Sequence, residues 1–178
     1  MVSKPTPVVE PHIDIVRLGP GATKVILSVA DNYVGVQSHW TGRTLLCPGT
    51  AECPGCLAGL ETRWLGYLPI VHNRNVYALL EISAQAAREF DRERDGGSLF
   101  NVGIELRKGR RFEPIKIVKT KVGAGSGGVP LSPHTVIDQL ARILGLPRLR
   151  AGEPVEQWEE RLQTVAAARL AQAVRARG

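Results

Sequence analysis

All three cysteines of this 178-residue chain, together with one of its four histidines, lie within residues 39–56. Their order is His39, Cys47, Cys53, Cys56, with the spacing H-x7-C-x5-C-x2-C. Three thiolates and one imidazole are the soft donor set that zinc prefers in closed tetrahedral sites. Pro-Gly follows both the first and the second cysteine, and these residues favour tight turns that let thiolates converge. The stretch therefore predicts a zinc loop.

Two other chemistries fit these residues less well. A disulfide between Cys53 and Cys56 would leave Cys47 odd and unexplained. Catalytic zinc needs an open coordination position, which a fourth protein ligand removes. The zinc nucleobase deaminases combine H-x-E with P-C-x-x-C, whereas this chain has H-W-T and E-C-P-G-C. We therefore predict a structural Zn2+ ion and, because no nucleophile–base pair or spaced carboxylate set stands out elsewhere, a protein that is not an enzyme.

Composition narrows the class of protein. Hydrophobic residues make up 43% of the chain, which is typical of a folded globular protein. The net charge of +6 favours anionic partners such as nucleic acid. The N-terminus lacks the apolar segment of a signal peptide and no apolar run is long enough to cross a membrane. Thiols in metal spacing without a secretory signal predict a reducing, cytoplasmic location.

The zinc loop needs strands to position it. Residues 23–40 form a long β-favouring run that delivers His39 to the loop, with a bend or bulge expected either at Asp31-Asn32 or at Gly35. Further strands are predicted from Arg63, from Val76 and on both sides of a basic hairpin at residues 107–111. Ser83 is expected to cap a helix that ends near residue 95, and Ser132-Pro133 to start another helix. Short strands, one intervening helix and a hairpin favour an OB-type antiparallel barrel within a mainly β, α+β fold.

The chain therefore divides into four predicted parts. Residues 1–22 are an extended lead-in with a first strand, and residues 23–122 are the OB-fold domain with zinc loop 39–56. Residues 123–131 are a Gly-rich loop, and residues 132–178 are a C-terminal helical extension. In the last helix, residues 154–176, an apolar face containing Trp158 predicts either packing on the same chain or binding of a partner or second copy.

OB barrels bind single strands through aromatic platforms and cations. Eight of the nine aromatic residues fall between Tyr33 and Phe112, and residues 107–121 are dense in cations. The alternatives are that each aromatic belongs to the core and that the cations form a solvated surface. The candidate nucleic-acid-binding residues are Trp40, Arg43, Arg63, Trp64, Tyr67, Arg107, Lys108, Arg110, Arg111, Lys116, Lys119 and Lys121.

The chain resembles the zinc-containing OB-fold single-stranded-DNA-binding proteins of T-even and related phages. The resemblance covers residues 23–122 and rests on H-W-T-G, Cys47, C-P-G-C and the strand W-L-G-Y-L-P-I-V that follows. It implies that His39, Cys47, Cys53 and Cys56 hold a structural zinc ion beside the cleft for the strand. The basic C-terminus departs from the acidic tail with which such proteins recruit replication partners.

The residues and the resemblance together predict a sequence-tolerant, single-stranded-DNA-binding protein of phage or mobile-element replication or recombination. Its location would be the cytoplasm of a bacterial or phage-infected cell. RNA remains an alternative ligand, since stacking platforms accept either nucleic acid. The alternative function is a zinc-stabilised adaptor subunit of a larger nucleoprotein complex, which binds protein through its C-terminal helix.

Overall fold

The computed structural model describes residues 13–72, 76–94, 97–109, 115–120 and 131–177. These residues form an α+β fold with one mixed sheet of eight strands and four helices. In chain order the elements are β1 (Asp14–Val16), β2 (Thr23–Ser28), β3 (Val34–Trp40), β4 (Thr44–Leu46), α1 (Pro54–Leu57), β5 (Thr62–His72), β6 (Val76–Ser83), α2 (Ala84–Arg94), β7 (Gly103–Lys108), β8 (Ile115–Thr120), α3 (Pro133–Ile143) and α4 (Val155–Arg175).

Several local predictions are confirmed. The long run at residues 23–40 forms two strands, β2 and β3, separated by the turn around Asp31. The Ala86 backbone N–H donates to Ser83 Oγ at the start of α2, and the Thr135 N–H donates to Ser132 Oγ at the start of α3. Both serines supply an acceptor for a helical N–H that has no partner within its helix.

The sheet is not closed across the described residues, so the predicted OB-type barrel is not confirmed. The hydrogen-bonded order is β1-β6-β5-β2-β7-β8, and β3 pairs with both β4 and β5. β1 runs parallel to β6 and aligns Asp14 with Ala78. The edge of β6 is therefore occupied by β1, and the edges of the described sheet are β1, β8 and β4, which pairs only with β3.

Strand β5 lies at the centre of the molecule because both of its faces are buried. Leu68 and Ile70 face one core, which Phe90 of α2 completes. Tyr67 faces the opposite core, where it packs with Val136 and Leu140 of α3. Because successive side chains of a strand point to opposite faces, β5 divides these two cores.

The C-terminal helices share the core of the sheet and the zinc loop. Trp158 of α4 is fully buried, and its Nε1 donates to the Pro147 carbonyl at 2.9 Å. Further along α4, Leu170 packs with Leu45 of β4 and with Cys53. The helices predicted as an extension thus pack against the part of the chain that carries the metal ligands.

Candidate metal centre and basic groove

The four predicted metal ligands meet in one cluster, with all four ligand atoms within 4.8 Å of one another. Cys47 Sγ lies 3.6 Å from Cys53 Sγ and 3.9 Å from Cys56 Sγ. His39 Nε2 lies 3.4 Å from Cys53 Sγ and 3.6 Å from Cys56 Sγ. The three cysteines are free thiols, so the alternative disulfide is not formed. The fold thus brings together ligands that lie up to 17 positions apart in the sequence, His39 and Cys56.

These distances fit a tetrahedral ion. With Zn–S of about 2.3 Å and Zn–N of about 2.0–2.1 Å, tetrahedral angles separate two sulfurs by about 3.8 Å and a sulfur from a nitrogen by about 3.6 Å. The measured separations of 3.6 and 3.9 Å between sulfurs match this geometry. So do the separations of 3.4 and 3.6 Å between sulfur and nitrogen. The cluster therefore fits zinc both in donor type and in size.

Local backbone structure places each ligand. His39 lies in β3, opposite Leu45 of β4 and Thr62 of β5, so strands flank it on both sides. Cys53 directly precedes α1, and Cys56 lies inside that four-residue helix. The Leu57 N–H donates to the Cys53 carbonyl at 3.0 Å, which closes the turn that holds two thiols together.

The surroundings of His39 orient its ring. Nδ1 lies 3.3 Å from the backbone carbonyl of Glu61. A ligand histidine commonly donates its second ring nitrogen to a carbonyl, which fixes the tautomer and leaves the other nitrogen for the metal. With Nδ1 as donor here, Nε2 faces the three sulfurs with its lone pair. Residue types and spacing could not reveal this second contact, because the partner is a main-chain atom.

The thiols differ in acidity. Burial disfavours the Cys53 thiolate, but the Cys56 backbone N–H and the neighbouring Cys47 and His39 outweigh it and lower the pKa of Cys53 to about 7. Burial raises the pKa of Cys47 to about 11, and the hydrogen bond to Cys53 acts in the same direction. Cys47 is therefore the donor and Cys53 the acceptor in the pair without metal.

Gly55 allows the cluster to close. A Cβ atom at this position would lie 2.7 Å from His39 Cδ2 and 2.9 Å from His39 Nε2. The histidine ring is buried and held from its other side, so it has little room to move. Only glycine, which has no side chain, therefore fits at this position between Cys53 and Cys56.

We expect Gly55→Ala to weaken metal binding about 10- to 100-fold, the range typical of changes that misplace a ligand without removing it. The added methyl group would displace the His39 ring. The measurement is competition for zinc with a chromogenic chelator. Gly59→Ala serves as a glycine control outside the cluster, because nothing lies within 4 Å of a Cβ at Gly59, although its φ of +68° makes alanine strained there. Equal zinc affinity of Gly55→Ala and the wild type would show that the ring tolerates displacement.

A large groove adjoins the metal cluster and shares His39 with it. Its volume is about 1220 Å3, and we call it the basic groove. Its described lining consists of Asp14, Ile15, Val16, Arg17, Lys24, Ser38, His39, Trp40, Gly42, Arg43, Thr44, Leu45, Arg63, Leu65, His72, Val76, Glu81, Ile143, Leu144 and Arg169. Cations outnumber carboxylates in this lining, so the groove favours an anionic ligand.

Three predicted nucleic-acid-binding residues lie in the basic groove. Trp40 follows the metal ligand His39 and keeps 49% of its surface exposed. Arg43 lies in the turn between β3 and β4, and Arg63 lies opposite Ser38 across the β3–β5 ladder. The Arg63 guanidinium pairs with Glu61 at 3.0 Å, and both side chains are largely exposed. Salt screens such an exposed pair, so Arg63 remains able to meet another anion.

The other two predicted aromatics have structural contacts. The Trp64 ring lies against the paired residues Gly35 and Gly66, where a Cβ would approach within 2.7 and 2.8 Å. The Tyr33 and Trp64 rings are nearly perpendicular, with their centroids 5.8 Å apart. Tyr67 is fully buried, and its hydroxyl donates to Glu81. Tyr67 therefore does not offer a stacking face, which corrects the sequence-based expectation for this residue.

None of the described residues of the basic strands β7 and β8 lines the groove, although β7 pairs with β2, which carries the lining residue Lys24. Arg107 forms a 2.7 Å ion pair with Glu105, and Lys108 Nζ donates to the Leu18 carbonyl. Lys116 and Lys119 are exposed on β8 and point to opposite faces of that strand. The remaining candidates, Arg110, Arg111 and Lys121, lie outside the described residues. The sequence pattern singled out residues 107–121 because their cations are closely spaced.

Residues that the sequence did not single out complete the groove. Arg17 binds Glu81 through two hydrogen bonds of 2.7 and 2.9 Å. Arg169 of α4 donates to the Leu144 and Gly145 carbonyls at the end of α3. Each of these arginines is isolated in sequence among unlike residues. Only the fold brings them to one surface.

No protein-family model matches the chain, and no curated protein or solved structure matches it either. None of the described helices is long and apolar enough to cross a membrane. Fold and site together define an α+β protein with a Cys3His cluster beside a basic groove.

Proposed function

We propose that this protein binds single-stranded DNA, without catalysing a reaction, in the basic groove beside a structural zinc ion. The observation that carries the proposal is the position of Trp40. Its half-exposed indole lies in the same groove as Arg43 and Arg63. An aromatic face that stacks on a base, flanked by cations that meet phosphates, is how sequence-tolerant single-strand binders work.

Size supports a polymeric ligand. Pockets for drug-sized molecules measure about 300–1,000 Å3, and the basic groove exceeds that range at about 1220 Å3. Stacking on Trp40 requires an exposed base face, which a paired and stacked duplex does not offer. The proposed preference is therefore for single strands over duplex.

Zinc is the metal that the donor set favours. Thiolates and imidazole select zinc over magnesium or calcium, and four protein ligands make a closed structural site. When bound, the ion would supply a cross-link between β3, the loop after β4 and α1. His39 belongs to both the cluster and the groove wall, so this cross-link would also fix the strand that carries Trp40.

The connectivity supports an OB-type domain as the binding unit. The bent pair β2 and β3 contacts β5 on one side, and β2 contacts β7 on the other. The single helix α2 falls between β6 and β7. In an OB-fold, the long first strand pairs with two neighbouring strands and a helix precedes the fourth strand. Here β2 and β3 together take the place of that first strand, and β7 follows the helix. The resemblance to phage single-stranded-DNA-binding proteins points in the same direction, and with it to replication or recombination as the setting.

The adaptor alternative has less support from the C-terminal helix. Trp158 of the predicted apolar face is buried within the chain, as are Ala166 and Leu170. A partner at residues 154–176 would therefore have to bind the polar face of α4. No large hydrophobic residue of α4 is exposed, which leaves little apolar surface on this helix for a partner.

The test is tryptophan fluorescence during titration with oligo-dT and with duplex of equal length, at low and moderate salt. Because Trp158 is buried and Trp64 is half-buried, we expect Trp40 to report most of the quenching. Trp40→Phe should abolish most of the signal and keep most of the affinity. Trp40→Ala should weaken binding by about 1–3 kcal/mol, the cost of losing one stacked base.

The double variant Arg43→Ala/Arg63→Ala should bind oligo-dT about tenfold more weakly and flatten the salt dependence, since each lost single-strand phosphate contact lowers the slope by about 0.7. Arg107→Ala/Lys116→Ala removes the same charge outside the groove and should retain affinity. Absence of binding to oligo-dT, or equal binding of duplex, would contradict the proposed function. Oligo-rU in place of oligo-dT distinguishes RNA from DNA as the preferred ligand.

A further inference from the structure

The four predicted metal ligands differ in their access to solvent. His39 and Cys53 are almost fully buried, at 1% and 0% exposure, whereas Cys56 is exposed. Cys53 packs against Leu170, but the helix residue that follows Cys56 is 73% exposed. The Thr62 hydroxyl oxygen lies 3.9 Å from Cys56 Sγ, so this sulfur has a polar neighbour. Because exposed thiolates react and buried ones are inert, a water-borne reagent attacks the cluster at Cys56.

A second thiol that is not fully buried lies beside Cys56. Cys47 is partly exposed, and its Sγ lies 3.9 Å from Cys56 Sγ. A disulfide bond measures about 2.05 Å, so the two sulfurs must approach by about 1.9 Å to be joined. Cys47 lies in the loop after β4 and Cys56 in the four-residue helix α1, so short segments rather than strands would move. Cys53 is instead held in the core, and Cys47 is therefore the favoured partner of an oxidised Cys56.

We infer that Cys56 is a site of reversible oxidation by hydrogen peroxide, which joins Cys56 to Cys47 and releases the metal ion. The Cys56 thiolate attacks one peroxide oxygen: an S–O bond forms, the O–O bond breaks, and the leaving hydroxide takes up a proton to become water. The Cys47 thiolate then attacks the sulfur of the Cys56 sulfenic acid, forms the S–S bond and displaces a second hydroxide, which also becomes water. The two thiolates together give two electrons to one peroxide molecule, with uptake of two protons.

Oxidation removes two of the four metal donors. Zinc binds thiolates, so a Cys47–Cys56 disulfide leaves only His39 and Cys53, which do not make a closed four-coordinate site. The redox step rests on the metal cluster alone. Its effect on the basic groove rests on the proposed function, because His39 lines the groove together with Trp40. Oxidised protein is therefore expected to lose the cross-link at His39 and to bind oligo-dT more weakly.

Metal release from zinc-loaded, full-length protein tests the inference. In excess hydrogen peroxide, a chromogenic chelator should report loss of the bound zinc, and peptide mass spectrometry should find the Cys47–Cys56 disulfide. Dithiothreitol followed by zinc should restore the metal content. Cys56→His keeps a common zinc donor set of two cysteines and two histidines but lacks the exposed thiolate, so its peroxide-dependent release should be lost. Leu57→Ala, a neighbouring change that keeps all four ligands, should release zinc as fast as the wild type.

A second variant identifies the thiolate that reacts first, even if Cys56→His fails to fold. Cys47→His retains Cys56 but lacks the thiol that would form the disulfide, so the sulfenic acid should persist. Dimedone, which labels sulfenic acids, should then modify Cys56 and leave the buried Cys53 unmodified.

The outcomes separate this inference from the proposed function. The inference is wrong if wild-type protein keeps its zinc in peroxide, if the disulfide excludes Cys56, or if Cys56→His releases zinc at the wild-type rate. A chain that takes up no zinc would overturn both the inference and the structural zinc site. Wild-type protein that does not bind oligo-dT before oxidation would contradict the proposed function, while the zinc and disulfide measurements would still decide the inference.

Discussion

Cys53→Ser is expected to abolish stoichiometric zinc binding and to leave the protein largely unfolded at room temperature. Cys53 is fully buried, and its Sγ contacts both His39 Nε2 and Cys47 Sγ. Structural zinc contributes about 10–16 kcal/mol of apparent binding free energy in zinc-finger peptides. A whole domain is stable by only about 5–15 kcal/mol. Loss of a ligand at this position therefore removes a large fraction of the stability of the fold.

The measurement is far-UV circular dichroism during heating, with zinc content determined on the same samples. A strong chelator added to wild-type protein should reproduce the effect of Cys53→Ser. Leu57→Ala is the matched control, since Leu57 lies in the same short helix beside Cys56 but is 73% exposed. The prediction would be wrong if wild-type protein carried no metal and melted at the same temperature with and without chelator. Zinc would then not stabilise this fold.

The metal ligands were predictable because the information is local. His39 and the three cysteines lie close in sequence, and the Pro-Gly turns favour the approach of the thiols. The same applies to Ser83 and Ser132, whose roles at helix starts depend on the next three residues. Spacing and residue type suffice where a contact spans a few positions.

The groove was only partly predictable because it is assembled from distant segments. Trp40, Arg43 and Arg63 were found through their proximity to the zinc loop. Arg17 and Lys24 reach the same surface only because β1 pairs in parallel with β6 and β2 lies beside β5. A search for closely spaced cations in the sequence finds the stretch at residues 107–121 instead, whose described members do not line the groove.

Burial on both faces of β5 explains the error at Tyr67. Alternation along the strand correctly places Trp64 and Tyr67 on opposite faces. It does not show that α3 covers the face of Tyr67, because that contact joins residues about 70 positions apart, Tyr67 and Val136. Aromatic residues are equally suited to a core and to a stacking surface, so only tertiary packing decides between these roles.

Leu170→Ala is expected to lower the free energy of unfolding by about 2–5 kcal/mol, the usual cost of emptying a buried leucine site. Leu170 is fully buried in α4 and packs with Leu45 and Cys53. The cavity would open directly behind a metal ligand. We therefore expect faster zinc release as well as a lower melting temperature, although Leu170 is more than 100 positions from each of the four ligands.

Zinc release to a chromogenic chelator and thermal unfolding should be measured on the same preparations. Gln172→Ala, at an exposed position of α4, should leave both unchanged. If α4 were an independent extension, Leu170→Ala would lower its own stability and leave the rate of zinc release at the wild-type value. A faster release instead indicates that the C-terminal helix supports the zinc loop. Through His39, it would then also support the strand that presents Trp40 to the groove.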